Sequence, residues 1–217
     1  MSQNVSTAVM ARRREAPDGL DFFPTPPWAT RALVEHVLWS RRARTVLPEG
    51  LTRPRSVWDP AAGQGHMVRP LKDYFDVVFA SDIHDYDRGF LARDFLLPGP
   101  SLYLADAIVA NPPFRLARQF VERGLAVANR GVCVLVRTAF LEGKARWRDL
   151  FATHPPAIVA PFAERVPIVK GRVDPKASSA TSYCWMVFSG KGRCQAPIVA
   201  WIPPCRAQLE KPGDYDS

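Results

Sequence analysis

The sequence predicts an α/β fold built on a largely parallel sheet, and three observations carry that prediction. Apolar stretches of strand length alternate with helical stretches along the chain. Several of them are apolar at consecutive positions, as in Gly131–Val136 (GVCVLV), which suits strands covered on both faces. Polar residues with Gly or Pro turns follow three of these stretches, at Asp59, Asp82 and Asn111. In an open parallel sheet the loops beyond the strands' carboxyl ends share one rim, where ligands bind.

Residues 1–20 read as a flexible basic arm. Arg12, Arg13 and Arg14 are followed by Glu15, Pro17 and Asp18 without an apolar core, so no secretory leader is expected. Phe22–Trp28 (FFPTPPW) is extended by its prolines. Thr30 is placed to cap a helix from Arg31 to Trp39, with Leu33, Val34, Val37 and Leu38 on one face. Leu47–Arg55 reads as a loop. Strands follow at Ser56–Asp59, Val77–Ser81, Ala107–Ala110, Gly131–Val136, Ala157–Ala160 and Tyr183–Ser189, with a further short element at Phe95–Leu97. Helices are expected over His66–Tyr74, Arg115–Ala128 and Glu142–Phe151. One catalytic-size domain is expected over 21–203, with a loose polar tail at 204–217.

Composition narrows the function classes. The 217 residues are 47% hydrophobic and 23% charged, values of a folded globular chain. No apolar run approaches the ~18 residues of a membrane span. The cysteines at 133, 184, 194 and 205 and the histidines at 36, 66, 84 and 154 fall into no metal-ligand spacing, so no metal site is expected. The net charge is +8, unevenly spread. Residues 56–110 are net −4, whereas 31–55, 115–162 and 163–193 are net +4, +5 and +4. Basic flanks suit a polyanion, and an acidic middle suits a cationic or neutral ligand.

Two motifs carry chemistry. DPAAGQG (Asp59–Gly65) sets an acid at a strand end and two glycines in the next turn. Without Cβ atoms, that turn lets a ligand approach the backbone closely. It is neither GxGxxG nor a Walker A loop, so a pyrophosphate is not expected; an acid there suits a positive group. Asp82 stands where a carboxylate accepts from ribose hydroxyls, and Asp94 can accept from an adenine amine. The second motif is AIVANPPF (Ala107–Phe114). Its two prolines fix the backbone and remove two N–H donors. The Asn111 side-chain oxygen, the Pro112 carbonyl and the flat Phe114 ring then receive a planar amine. Two acceptors on such an amine localise its lone pair, and catalysis is mainly in-line positioning. A nucleobase acceptor must leave its duplex and stack on Phe114, with Phe162 as a candidate second aromatic.

These residues resemble the class I S-adenosylmethionine-dependent DNA adenine-N6 methyltransferases, more narrowly their small phage and prophage type. The matching stretches are DFFPTPPWAT (21–30), DPAAGQGHM (59–67), SDI and RDFL within 81–97, and NPPF (111–114). FLEGKARW (140–147) and SSATSYCWMVF (178–188) extend the resemblance, which covers about 21–200. It implies a Rossmann-like fold, with a mostly parallel seven-stranded sheet and helices on both faces. It implies methyl transfer from S-adenosylmethionine to the N6 amine of a flipped-out adenine in DNA, in the cytoplasm of a bacterium or phage-infected cell. By the same resemblance, Phe23, Pro24 and Thr25 pack on the cofactor's methionine end. Asp59, Ala61, Gly63 and Gly65 form the cofactor loop, Asp82 meets the ribose, Asp94 and Phe95 meet the adenine, and Asn111, Pro112, Pro113 and Phe114 are catalytic.

Two departures matter. Ala62 stands where DPACGSG has cysteine. Only 103 residues follow Phe114, too few for the sheet and a separate recognition domain, so short or relaxed sequence specificity is expected. The loop Glu164–Ser182, with Arg165, Lys170, Arg172 and Lys176, is the candidate DNA contact; a solvated hairpin is the other reading. An RNA adenine or protein glutamine acceptor stays open, as do a non-catalytic DNA-binding partner subunit and a homodimer.

Overall fold

Consecutive apolar residues build the centre of the sheet. In the computed structural model, which describes residues 22–190 and 196–216, the strands are β1 (Ser56–Asp59), β2 (Val77–Asp82), β3 (Leu91–Ala92), β4 (Ala107–Ala110), β5 (Gly131–Arg137), β6 (Ile158–Pro161), β7 (Ile168–Val169), β8 (Arg172–Val173), β9 (Tyr183–Ser189) and β10 (Ile198–Val199). The arm at 1–20 and Cys194 lie outside the described residues.

Eight strands form the main sheet, in the order β10-β6-β9-β5-β4-β1-β2-β3. All pairings are parallel except those of β9, which runs antiparallel between β5 and β6. The long antiparallel β5–β9 ladder, Gly131↔Ser189 to Arg137↔Tyr183, binds the two halves of the sheet. The six strands placed from the sequence gain two short edges, Leu91–Ala92 on β2 and Ile198–Val199 on β6, so the sheet has eight strands rather than the implied seven. The chain order reverses between β4 and β2 around β1, a switch point that opens a crevice beyond the strand ends.

Side-chain alternation splits the core in two. Cys133 and Leu135 of β5 pack in one cluster, with Trp28, Leu33 and Leu38. Val132, Val134 and Val136 pack in the other, with Phe120, Val121 and Leu150. Helices therefore cover both faces. The first face is covered by α1 (Pro27–Ala32), which runs on as wider π-type turns over Leu33–Leu38, with α2 (Ala43–Val46), α3 (Glu49–Thr52) and α4 (Val68–Leu71). The second face is covered by α5 (Ala117–Val127) and by α6 (Lys144–Arg146) with its π-type continuation Trp147–Phe151. A final turn, α7 (Arg206–Leu209), packs on the first face.

Several boundaries differ from expectation. The first helix begins at Pro27, not behind a Thr30 cap, because a proline presets φ in the first turn. Thr30 is buried inside it. Residues 66–74 hold only one regular turn, since Pro70 withholds an N–H. The 47–55 loop contains α3, and the short element near Phe95 is a turn behind the strand Leu91–Ala92. The tail is not loose. Arg31 of α1, 5% exposed, makes two hydrogen bonds of 2.7 and 2.8 Å to Asp214 and one of 2.8 Å to the Leu209 carbonyl. No helix among the described residues is long and apolar enough to cross a membrane.

Candidate active site

A cleft of about 270 Å³ opens beyond the carboxyl ends of β1, β2 and β4. Its first wall is the turn after β1. Gly63 has φ +52°, and a Cβ there would stand 2.6 Å from the Phe22 ring, so only glycine lets Phe22 close over the turn. The Gly63 N–H donates to Asp82 Oδ2 at 2.8 Å, and the His84 N–H to Asp82 Oδ1 at 3.0 Å. Asp82 thus splints the turn and caps its own loop while still facing the cleft. Gly65 (φ +85°) is not on the cleft wall; it closes the turn with an N–H bond of 2.8 Å to the Ala62 carbonyl.

Asp59 is fully buried. Its Oδ1 accepts from the Ala61 N–H at 3.1 Å, and its Oδ2 has no partner. Burial, with Asp82 nearby, pushes its carboxyl up to about 8. His66 also lines the cleft with an unpartnered Nδ1, and burial, Arg69 and Arg88 bring it down to about 4. Thr25 Oγ1 is a third unpartnered buried atom on this wall. Native interiors rarely leave such atoms unpaired, so three in one cleft mark a place for a polar ligand.

Asp94 sits further along the rim and caps the Leu96 N–H at 2.8 Å. Phe95 packs edge-on to Trp58 at 5.1 Å and against Phe120 at 5.0 Å, forming an apolar end of the cleft.

The opposite wall is Asn111–Phe114, directly after β4. The Asn111 Nδ2 donates to the Phe23 carbonyl at 2.8 Å. A carbonyl only accepts, so this bond fixes the amide orientation and leaves Oδ1 as an acceptor. Phe23 also flanks the Phe114 ring at 5.5 Å. The N-terminal segment Phe22–Thr25 therefore bridges the two walls.

The structure brings Phe23, Pro24, Thr25, Asp59, Ala61, Gly63, Asp82, Asp94, Phe95 and Asn111–Phe114 to one cleft. It does not bring Phe162 there. That ring stands edge-on to Trp28 at 5.7 Å and packs on the core. The basic loop forms the β7–β8 hairpin, whose Gly171 N–H donates to the Phe22 carbonyl at 2.9 Å. Lys170 and Arg172 flank that turn; Arg172 pairs with Asp174, whose Oδ1 also accepts from the Lys176 N–H. Arg165 donates to Ser182 Oγ and the Ala180 carbonyl. Sequence reasoning missed Phe22, His66 and Tyr86 as cleft residues. His66 directly follows the glycine turn and Tyr86 lies four residues after Asp82, and that nearness was the available signal.

Strand order and cleft position are those of the class I methyltransferase fold, and the solved structures similar to this chain agree. A candidate class I S-adenosylmethionine-dependent methyltransferase from Listeria monocytogenes aligns with a TM-score of 0.57 and 14% identity, covering 94% of this chain and 71% of that one. A modification subunit of a candidate type I restriction enzyme from Vibrio vulnificus aligns at 0.57 and 14%, covering 96% and 54%. A candidate RNA methyltransferase from Pyrococcus horikoshii aligns at 0.55 and 16%, covering 84% and 94%. The chain spans about half the length of the restriction-modification subunits it matches. No family model matches the chain, and no curated protein matches it in sequence.

Proposed function

We propose that this chain transfers a methyl group from S-adenosylmethionine to the exocyclic N6 amine of an adenine turned out of DNA. The carrying observation is Asn111, whose amide is locked by the Phe23 carbonyl with its oxygen left to accept. Beside it, Pro112 and Pro113 offer carbonyls and no N–H.

The cleft residues fit the cofactor. Asp59 Oδ2 is unpaired, and an ammonium placed beside it would bring the raised carboxyl back down and make that oxygen an acceptor. Asp82 suits ribose hydroxyls, and Asp94 with Phe95 suits an adenine ring. When bound, S-adenosylmethionine supplies a methyl already activated by its sulfonium.

This chain's own work is then to hold the amine. Asn111 Oδ1 and the Pro112 carbonyl accept its two hydrogens and localise the nitrogen lone pair. Phe114 supports the ring, with Phe23 beside it. The amine needs no base before attack, because its proton can leave after the new N–C bond has formed. His66, brought down to about 4 by burial with Arg69 and Arg88, is a weak base, in keeping with that order of events.

DNA as the polyanion is supported by the basic flanks and by the hairpin charges beside Phe22. The likeness to a restriction-modification subunit supports the fold on which such chemistry is carried.

The test is incubation with labelled S-adenosylmethionine and unmethylated genomic DNA, with total RNA in parallel. Nucleosides are then identified by mass spectrometry. N6-methyladenine in DNA is expected. Label in RNA alone would replace DNA with RNA, and label in neither would reject a nucleic-acid acceptor.

A further inference from the structure

The end of β5 carries a side chain that the chemistry above does not use. The Arg137 guanidinium carbon lies 4.0 Å from the centroid of the Phe114 ring. That is a stacking distance, and an aromatic face holds one planar group at a time. Arg137 is exposed, pairs with no carboxylate among the described residues, and hydrogen-bonds the Tyr183 hydroxyl. Arg118, Arg148 and Arg172, by contrast, are tied to Asp149 or Asp174. Across the β5–β9 ladder Arg137 faces Tyr183, whose ring is 6.3 Å from Phe114. Phe23 stands beside the same ring, tilted by 44°.

We propose that Arg137 gates the acceptor site and positions the nucleotide that enters it. With no base in the cleft, the guanidinium covers the face of Phe114. An incoming base takes that face, and the displaced guanidinium swings to a backbone phosphate beside the extruded nucleotide. Arginine suits both states, since its planar fork stacks on rings and grips phosphate oxygens. The exchange replaces one stacked group with another and trades the neutral Tyr183 hydroxyl for a charged phosphate partner. A free nucleoside must displace Arg137 and offers no phosphate in return. The gate therefore selects polynucleotide over free nucleoside. This inference rests on the nucleic-acid reading of the cleft.

The test compares wild type, Arg137→Ala and Arg137→Lys on an adenine-containing oligonucleotide and on free deoxyadenosine, with S-adenosylmethionine present. Oligonucleotide affinity is followed across salt concentrations. Arg137→Ala should lower kcat/KM on the oligonucleotide about 10-fold or more, and reduce the slope of log Kd against log salt by about one. Its activity on deoxyadenosine should rise. Arg137→Lys keeps the charge but not the flat stack, so it should restore the salt slope without restoring discrimination. Equal losses on both acceptors would overturn the gate, leaving Arg137 as mere support for Phe114. Unchanged oligonucleotide kinetics and salt slope in Arg137→Ala, with wild type active, would also overturn it while sparing the proposed function. A wild type that neither binds nor methylates the oligonucleotide would reject both.

Discussion

At the scale of the residue, Asn111 and Asp82 each hold backbone in place while still facing the cleft. Asn111 spends its donor on Phe23 and keeps its acceptor. Replacing it with Ala should leave the fold intact and cut turnover by ~10²-fold or more, the scale of losing one oriented catalytic hydrogen bond; single-turnover methylation rates check this. Asp82 holds the Gly63 and His84 amides. Asp82→Ala should weaken cofactor affinity far more than turnover at saturation, which calorimetric titration with S-adenosylmethionine would measure. Both positions were legible in the sequence because strand-end turns built on Gly and Pro restrict which residues fit. Arg137 and His66 were not. An exposed arginine reads like any other until its distance from a ring is known, and His66 carried no ligand spacing.

Elements were legible where burial imposed a pattern. The runs at β4 and β5 are apolar because helices cover both faces, and the sheet centre follows from them. The two-residue strands Leu91–Ala92 and Ile198–Val199 lie at sheet edges, half-buried or exposed, with too little pattern to register. The docking of α7 was hidden for another reason. Arg31 lies on a buried helix face and its partner Asp214 stands 183 residues away, in a segment of polar composition. Asp214→Ala leaves buried Arg31 with only its longer 3.7 Å contact to Asp73 and the Leu209 carbonyl, and should cost about 2–3 kcal/mol. Chemical denaturation of the two proteins checks this. The turn after β1 admits a milder test. Gly63→Ala forces a non-glycine residue into φ +52° and pushes on Phe22, so it should cost roughly 1–2 kcal/mol in unfolding free energy.

The whole molecule responds to pH through the same cleft. Asp59 ionises near 3.8 when unfolded and near 8 when folded, so between those values the folded chain holds the extra proton. Stability from this group therefore falls as pH rises through that window. His66 acts in the opposite sense. It is protonated below 6.5 when unfolded but only below about 4 when folded, so its contribution falls as pH drops from 6.5 to 4. Above pH 6.5 only the Asp59 slope remains of the two. Thermal midpoints of the ligand-free protein should thus decline from pH 6.5 to 8, and Asp59→Asn should flatten that decline. The order of the sheet, with β1 at the switch point, puts this strained centre where both halves of the chain meet. One bond there has a wider reach. The Phe23 carbonyl belongs to the segment closing over the glycine turn, and it also holds the amide across the cleft. A ligand that orders that segment prepares Asn111 in advance. Thermodynamic reciprocity would then require occupancy at Asn111 to tighten the first ligand by the same factor, a coupling carried by a single peptide group.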